Sequence, residues 1–160
     1  MDRAPAESYL SPVALSAPLL AELSDPRSTL RAAIQRSGPA VIILAGGEVD
    51  ASNEHAWRRL VGEAAAVASR PGPFVVDVSG LDFMACCAFA VLADEAGRCR
   101  PRGVELRLVS CDSSIARLVE AGNLSGVLPL YPTTDSALST AGPGQSGTAR
   151  YGTPGRPLAN

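Results

Sequence analysis

Two adjacent cysteines, Cys86 and Cys87, stand where an apolar run, Phe74-Val75-Val76-Asp77-Val78, gives way to a helix-like stretch over 87–100. A strand that turns straight into a helix presents unpaired backbone N–H groups and the positive end of the helix dipole. A thiol held there and reached by solvent gains thiolate character, and with it reactivity toward oxidants. A bridge between two neighbouring cysteines forces unusual backbone geometry, so a redox pair needs a third member. Cys111 is the candidate. It closes the alternating segment 104–110, a strand expected beside 74–78 with its C-terminal end at the same sheet edge. The candidate redox set is therefore Cys86, Cys87 and Cys111. Against it stands a plainer reading, in which Cys86 and Cys87 are small apolar side chains. Cys99 falls at the far end of the helix and is expected in the core.

Spacing argues against other cysteine chemistry. The four cysteines contain no C-x-x-C pair and the chain has one histidine, His55, so no zinc framework and no metal site are expected. A cysteine phosphatase wraps its anion with C-x5-R, but the sixth residue after Cys86 is Leu92 and after Cys87 is Ala93. No glycine-rich cradle or nearby general base follows either cysteine. A small cysteine-dependent phosphatase or sulfurtransferase is thus the weakest alternative. No catalytic residue and no cofactor are expected.

The net charge of −2 gives no electrostatic case for nucleic acid or an anionic membrane surface, although all 14 basic residues are arginine. The apolar runs 40–45 and 74–78 are too short to span a bilayer, and the N-terminus lacks a secretory pattern. A cytoplasmic protein is expected.

The elements that must position the cysteines follow from hydrophobic period and turn chemistry. Residues 1–25, with Pro5, Pro12 and Pro18 among small polar residues, are predicted to be a flexible arm. The Gly/Pro/Ser-rich segment 141–160 is predicted to be a disordered tail, because it cannot bury enough apolar area to offset its ordering entropy. Between them, 26–140 reads as one domain. Residues 28–35 and 40–45 are strands joined by the turn Ser37-Gly38-Pro39. Ser52 or Asn53 caps a helix to about Ser69, with Trp57, Leu60, Val61 and Ala64 at helical spacing.

The strand 74–78 and the helix 87–100 come next, followed by the strand 104–110. Asp112 or Ser113 caps a helix through Ala121, and a short strand 127–131 and a helical turn 134–139 close the domain. Arg98, Arg100 and Arg102 read as a solvated helix end. The order ββαβαβα implies right-handed crossovers and a single-domain α/β fold with a mainly parallel sheet.

Several segments in this order resemble the STAS domain family, the sulfate-transporter and anti-sigma-factor-antagonist modules. They are Gly47-Glu48-Val49-Asp50, Val75-Val76-Asp77-Val78-Ser79-Gly80-Leu81, Phe83-Met84, Ala90-Val91-Leu92, the segment 102–109, and the segment 118–124. In the antagonist branch the strand-to-helix turn reads F-[IM]-D-S-S-G-[LV]-x-[VA]-L. A partner that is both serine kinase and anti-sigma factor phosphorylates its second serine.

Here the same frame reads Phe83-Met84-Ala85-Cys86-Cys87-Ala88-Phe89-Ala90-Val91-Leu92. Ala85 takes the aspartate position, Cys86 and Cys87 those of the serines, and Ala88 that of the glycine. The resemblance implies an anti-sigma factor antagonist that binds a serine-kinase-type anti-sigma factor and so frees a sigma factor. It further implies Cys87 as the phosphoacceptor equivalent, and contacts from Glu48, Asp50, Ser52, Ala85, Cys86, Cys87 and Ala88. A thiol does not accept phosphate from a serine kinase, so the usual switch at that position is lost. A scaffold subunit of a larger signalling complex is the alternative function, and the oligomeric state is left open.

Overall fold

The computed structural model describes residues 10–139. One six-stranded sheet carries the fold, with strands in the same order as in the sequence. β1 (Ser11–Val13), β2 (Leu30–Ser37) and β3 (Ala40–Val49) pair antiparallel; β3, β4 (Phe74–Met84), β5 (Leu106–Val109) and β6 (Leu130–Tyr131) pair parallel. The hairpin turn between β2 and β3 uses Gly38 at φ 61°, as the Ser37-Gly38-Pro39 signal requires.

Each parallel step is bridged by a helix: α2 (Glu54–Val67), α3 (Cys86–Cys99) and α4 (Ser113–Ala121). The strand order advances in one direction, so right-handed crossovers bring all three helices to one face. Their apolar sides meet alternate residues of the strands in a single core, with Val41 and Ile43 from β3, Phe74 and Val76 from β4, and Leu106 and Leu108 from β5. Ile42, Val75 and Val109, on the opposite pleat, form a smaller cluster under α5 (Thr134–Ser139) through Ala137. Two polar contacts fasten α5 there. Thr134 Oγ1 donates to Asp77 Oδ2 at 2.8 Å, and the buried Arg107 donates from Nη1 to the Ala137 carbonyl at 2.5 Å.

The structure departs from the sequence expectations at the N-terminus. Residues 11–24 are not a flexible arm: they form β1 and α1 (Ala17–Ser24). Leu19 is fully buried, Ser16 hydrogen-bonds Glu63 of α2 through its backbone N–H and its hydroxyl, and Glu22 pairs with His55. Prolines at residues 12 and 18 masked this in the sequence, yet one lies on an edge strand and the other in the first helical turn, where proline is tolerated. Residues 1–9 and the tail 141–160 lie outside the described residues. The core order ββαβαβα is thus flanked by β1 and α1 before it and by β6 and α5 after it.

Arg102 is exposed, as expected, and also reaches the end of α2. Its Nη2 donates to the carbonyls of Ala65 (3.1 Å) and Ala68 (2.7 Å), and Arg36 Nη2 donates to Val67 O at 3.0 Å. Two guanidinium groups therefore satisfy the C-terminal carbonyls of α2, where positive charge also suits the dipole. Arg98 instead pairs with Glu95 on the helix surface.

Candidate functional site

The site is built by the register of β3 against β4. β4 is longer than its apolar core suggests. It runs past Val78 through Ser79, Gly80, Leu81, Asp82 and Phe83 to Met84, with two register shifts opposite Leu44–Gly46 and Gly47–Glu48. Extra residues at such bulges bend the strand and re-aim its end. Glu48 thereby pairs with Phe83 and Val49 with Met84, and the Ala85 N–H donates to the Val49 carbonyl at 2.9 Å. The segment after β3 and the start of α3 are locked side by side, although more than 30 residues separate them in the chain.

Glycines let β3 sit close both to the segment before β2 and to β4. A Cβ on Gly47 (φ 91°) would lie 2.0 Å from the Thr29 carbonyl oxygen, and one on Gly80 would lie 2.8 Å from the Ala45 oxygen. Beyond Val49 the chain folds into a tight polar turn. Asp50 Oδ1 accepts from the backbone N–H (2.9 Å) and hydroxyl (2.6 Å) of Ser52, and these bonds hold the Asp50 carboxyl below its usual range. Asn53 closes the turn. Its Oδ1 accepts from the Asp50 N–H at 2.9 Å and its Nδ2 donates to the Glu48 carbonyl at 2.9 Å. Asp50 and Ser52 are therefore turn-forming residues, while the Glu48 side chain is exposed.

At the second segment, Ala85 occupies the N-cap of α3 with extended backbone and offers no capping oxygen. Cys86 is exposed and Cys87 half-buried. Ala88, expected to contact a partner, is fully buried. Its carbonyl accepts the Trp57 indole N–H at 3.1 Å, so it packs the first turn of α3 against α2. A methyl group fills that space where the family pattern has glycine.

Cys87 also departs from expectation. Burial pushes its thiol up, the Glu54 carboxylate adds to the shift, and the backbone N–H groups at the helix start do not outweigh them. The dipole argument alone points the other way. Glu54, the first residue of α2, is the functional neighbour that the sequence did not reveal; only the packing of α2 on α3 brings it to Cys87.

All four cysteines are free thiols. Cys111 is exposed and its Sγ donates to the Pro132 carbonyl at 3.1 Å. β5 does lie beside β4 with Val109 opposite Asp77, but β4 continues from Val78 to Met84 beyond that pair, so the two strands do not finish together. Cys99 is fully buried. Among the described residues no group of three or more His, Cys, Asp or Glu could hold a metal ion, and no helix is long and apolar enough to cross a membrane.

The family model for the STAS domain matches residues 31–137. The chain is a member of the STAS family. The match takes in both halves of the site and every element from β2 to most of α5. A Mycobacterium tuberculosis protein named "Putative anti-anti-sigma factor Rv2638" is 62% identical over 139 residues, covering 86% of this chain and 94% of that one. The anti-sigma-F factor antagonist RsfA of the same organism is 57% identical over 112 residues, covering 70% of this chain and 88% of its own.

Among solved structures, an anti-sigma factor antagonist from Mycobacterium paratuberculosis superposes with a TM-score of 0.63 at 25% identity, covering 73% of this chain and 97% of that one. Unphosphorylated SpoIIAA, an anti-sigma factor antagonist, superposes with a TM-score of 0.55 at 13% identity, over 67% of this chain and 92% of its own, and so shares the fold.

Proposed function

We propose that this STAS protein is a cytoplasmic anti-sigma factor antagonist: it binds a serine-kinase-type anti-sigma factor and so frees a sigma factor for transcription. The names of its two mycobacterial relatives support this reading. The observation that carries it is the pairing of Glu48 with Phe83 and Val49 with Met84. That pairing sets Glu48, Asp50 and Ser52 beside Ala85, Cys86 and Cys87 on one rigid edge. Such an edge acts by occupying the partner's surface, and competition needs no bond to be made or broken. Neither a cofactor, nucleic acid nor a membrane enters the reading.

Control differs from phosphorylation of a serine. The Cys87 Sγ stands at the acceptor position, and a thiol does not take the phosphate that a serine kinase transfers to a hydroxyl. The remaining candidate input is oxidation of Cys86, Cys87 or Cys111, favoured by the exposure of Cys86 and Cys111. Binding of the purified protein to each kinase-type anti-sigma factor of its own genome tests the reading, with and without oxidant. At least one should bind at micromolar concentration or tighter, and binding to none in either redox state overturns the function. Cys87→Ser tests the frame: the partner kinase should label it with phosphate and leave the wild type unlabelled.

A further inference from the structure

The face of the sheet turned away from α2, α3 and α4 is only partly covered. α5 closes the end that carries Ile42, Val75 and Val109, and the end nearer the paired edge lies open. Side chains alternate along a strand, and directly opposed residues of neighbouring strands share a face. Leu44, Gly46 and Glu48 therefore follow Ile42 on the open side of β3. Ala33 lies opposite Leu44, Arg31 opposite Gly46, and Phe83 opposite Glu48. Leu44 is 37% exposed and Phe83 52% exposed, large values for side chains in a sheet. Arg31 and Glu48 are exposed too, and neither side chain has an ion pair or hydrogen bond among the described residues.

We infer that this open face pairs with the same face of a second copy of the chain, Phe83 of each seating on the Ala33–Leu44 pair of the other and Arg31 of each meeting Glu48. The register selects this occupant. Strands lie about 4.8 Å apart, and successive same-face residues about 7 Å apart along them. On that grid, the two-fold axis that exchanges Arg31 with Glu48 also carries Phe83 to within about 3 Å of the point midway between Ala33 and Leu44. One axis satisfies the charges and the apolar contact together, as an isologous interface requires. The patch is three strands wide and smaller than the roughly 800 Å² per partner of a standard interface, so the association is weak and reversible. Glu48 also belongs to the edge assigned to the anti-sigma factor. Partner and second copy therefore exclude each other; this consequence rests on the antagonist function proposed above, whereas the pairing itself does not.

The test is analytical ultracentrifugation of the full chain from about 1 μM to about 1 mM, the range of a weak interface. Wild type should pass from monomer to dimer, whereas Leu44→Arg and Arg31→Glu should stay monomeric with wild-type circular dichroism and melting. The reciprocal contact predicts a sharper result. Arg31→Glu and Glu48→Arg should each repel their own copies, but an equimolar mixture of the two restores both charge pairs and should dimerise. At a concentration where wild type is dimeric, Leu44→Arg should bind the anti-sigma factor with an apparent Kd at least twofold lower than wild type.

Wild type that stays monomeric throughout overturns the pairing, as does a dimer that the variants retain or a mixture that remains monomeric. Anti-sigma binding that is tenfold weaker in Leu44→Arg than in a monomeric wild type also overturns it and assigns the face to that partner. A dimer lost in the variants, with equal anti-sigma affinity for wild type and Leu44→Arg, overturns the mutual exclusion. If wild type dimerises through this face but binds no anti-sigma factor, the antagonist function fails and the pairing stands.

Discussion

The indole Nε1 of Trp57 donates a 3.1 Å hydrogen bond to the main-chain carbonyl of Ala88 in the buried seam between α2 and α3. A side chain of one helix thus fixes the first turn of the next, one residue beyond Cys87. α2 cannot slide along α3 without leaving the buried indole N–H unpaired in the core.

Trp57→Phe keeps most of the ring and removes the donor. Loss of this bond should cost about 0.5–1.5 kcal/mol of stability, read from urea unfolding. The fluorescence of Trp57, the single tryptophan and fully buried, should be blue-shifted in the native protein and move to the red on unfolding. If Phe is tolerated with no change in midpoint, the bond does not hold the seam.

Gly47 and Gly62 should respond to alanine in opposite directions. Gly47 has a positive φ of 91°, and an added Cβ meets the Thr29 oxygen at 2.0 Å. Strain and clash together should exceed about 2 kcal/mol and displace the turn that carries Asp50. Gly62 lies inside α2 with nothing within 4 Å of an added Cβ. Gly62→Ala should stabilise by about 0.5–1 kcal/mol through helix propensity. Equal effects at the two positions would contradict the close approach at Gly47.

Ala85→Asp restores the residue of the family pattern at a helix start that has no side-chain cap. An aspartate there can accept from a first-turn N–H and also favours the dipole, so stability should rise by about 0.5–2 kcal/mol at neutral pH. The gain belongs to the carboxylate. A capping aspartate has a lowered folded-state pKa, so its contribution is present above the unfolded value near 3.9 and fades as pH falls through the folded one. Urea titrations at pH 7 and pH 3 should therefore converge for variant and wild type at the lower pH.

Most of the architecture was legible because alternating runs and turn residues report directly on local structure. The runs 40–45, 74–78 and 104–110 located the central strands, and Ser37-Gly38-Pro39 located the hairpin. What escaped was tertiary. The extension of β4 to Met84 depends on pairing with β3, since Ser79-Gly80-Leu81-Asp82 has little strand character of its own. The approach of Glu54 to Cys87 depends on helix packing. Nothing local announces that the end of α2 lies within reach of the exposed Arg102. In the candidate site, Cys86 and Cys87 were found by their place in the frame, whereas the burial of Ala88 was not, because a small residue reads alike on the surface and in the core.

The thiols themselves provide the last check, since burial and charge predict an order of reactivity that the helix dipole alone would not. Cys87 is half-buried with its thiol pushed up by desolvation and by Glu54, so less of it is thiolate at any pH near neutral. Cys99 is fully buried and its thiol is pushed up by the same main cause. Cys86 and Cys111 are exposed. Alkylation by iodoacetamide followed by peptide mass spectrometry should label Cys86 and Cys111 first, Cys87 more slowly and Cys99 only on unfolding. Raising the pH should speed Cys87 labelling, because the rate follows the thiolate fraction. Glu54→Gln removes the repelling carboxylate and should speed Cys87 labelling at pH 7 while leaving Cys111 unchanged. Were Cys87 the fastest thiol in the native protein, the local field would be electropositive, and the account of burial and Glu54 given for this position would fail.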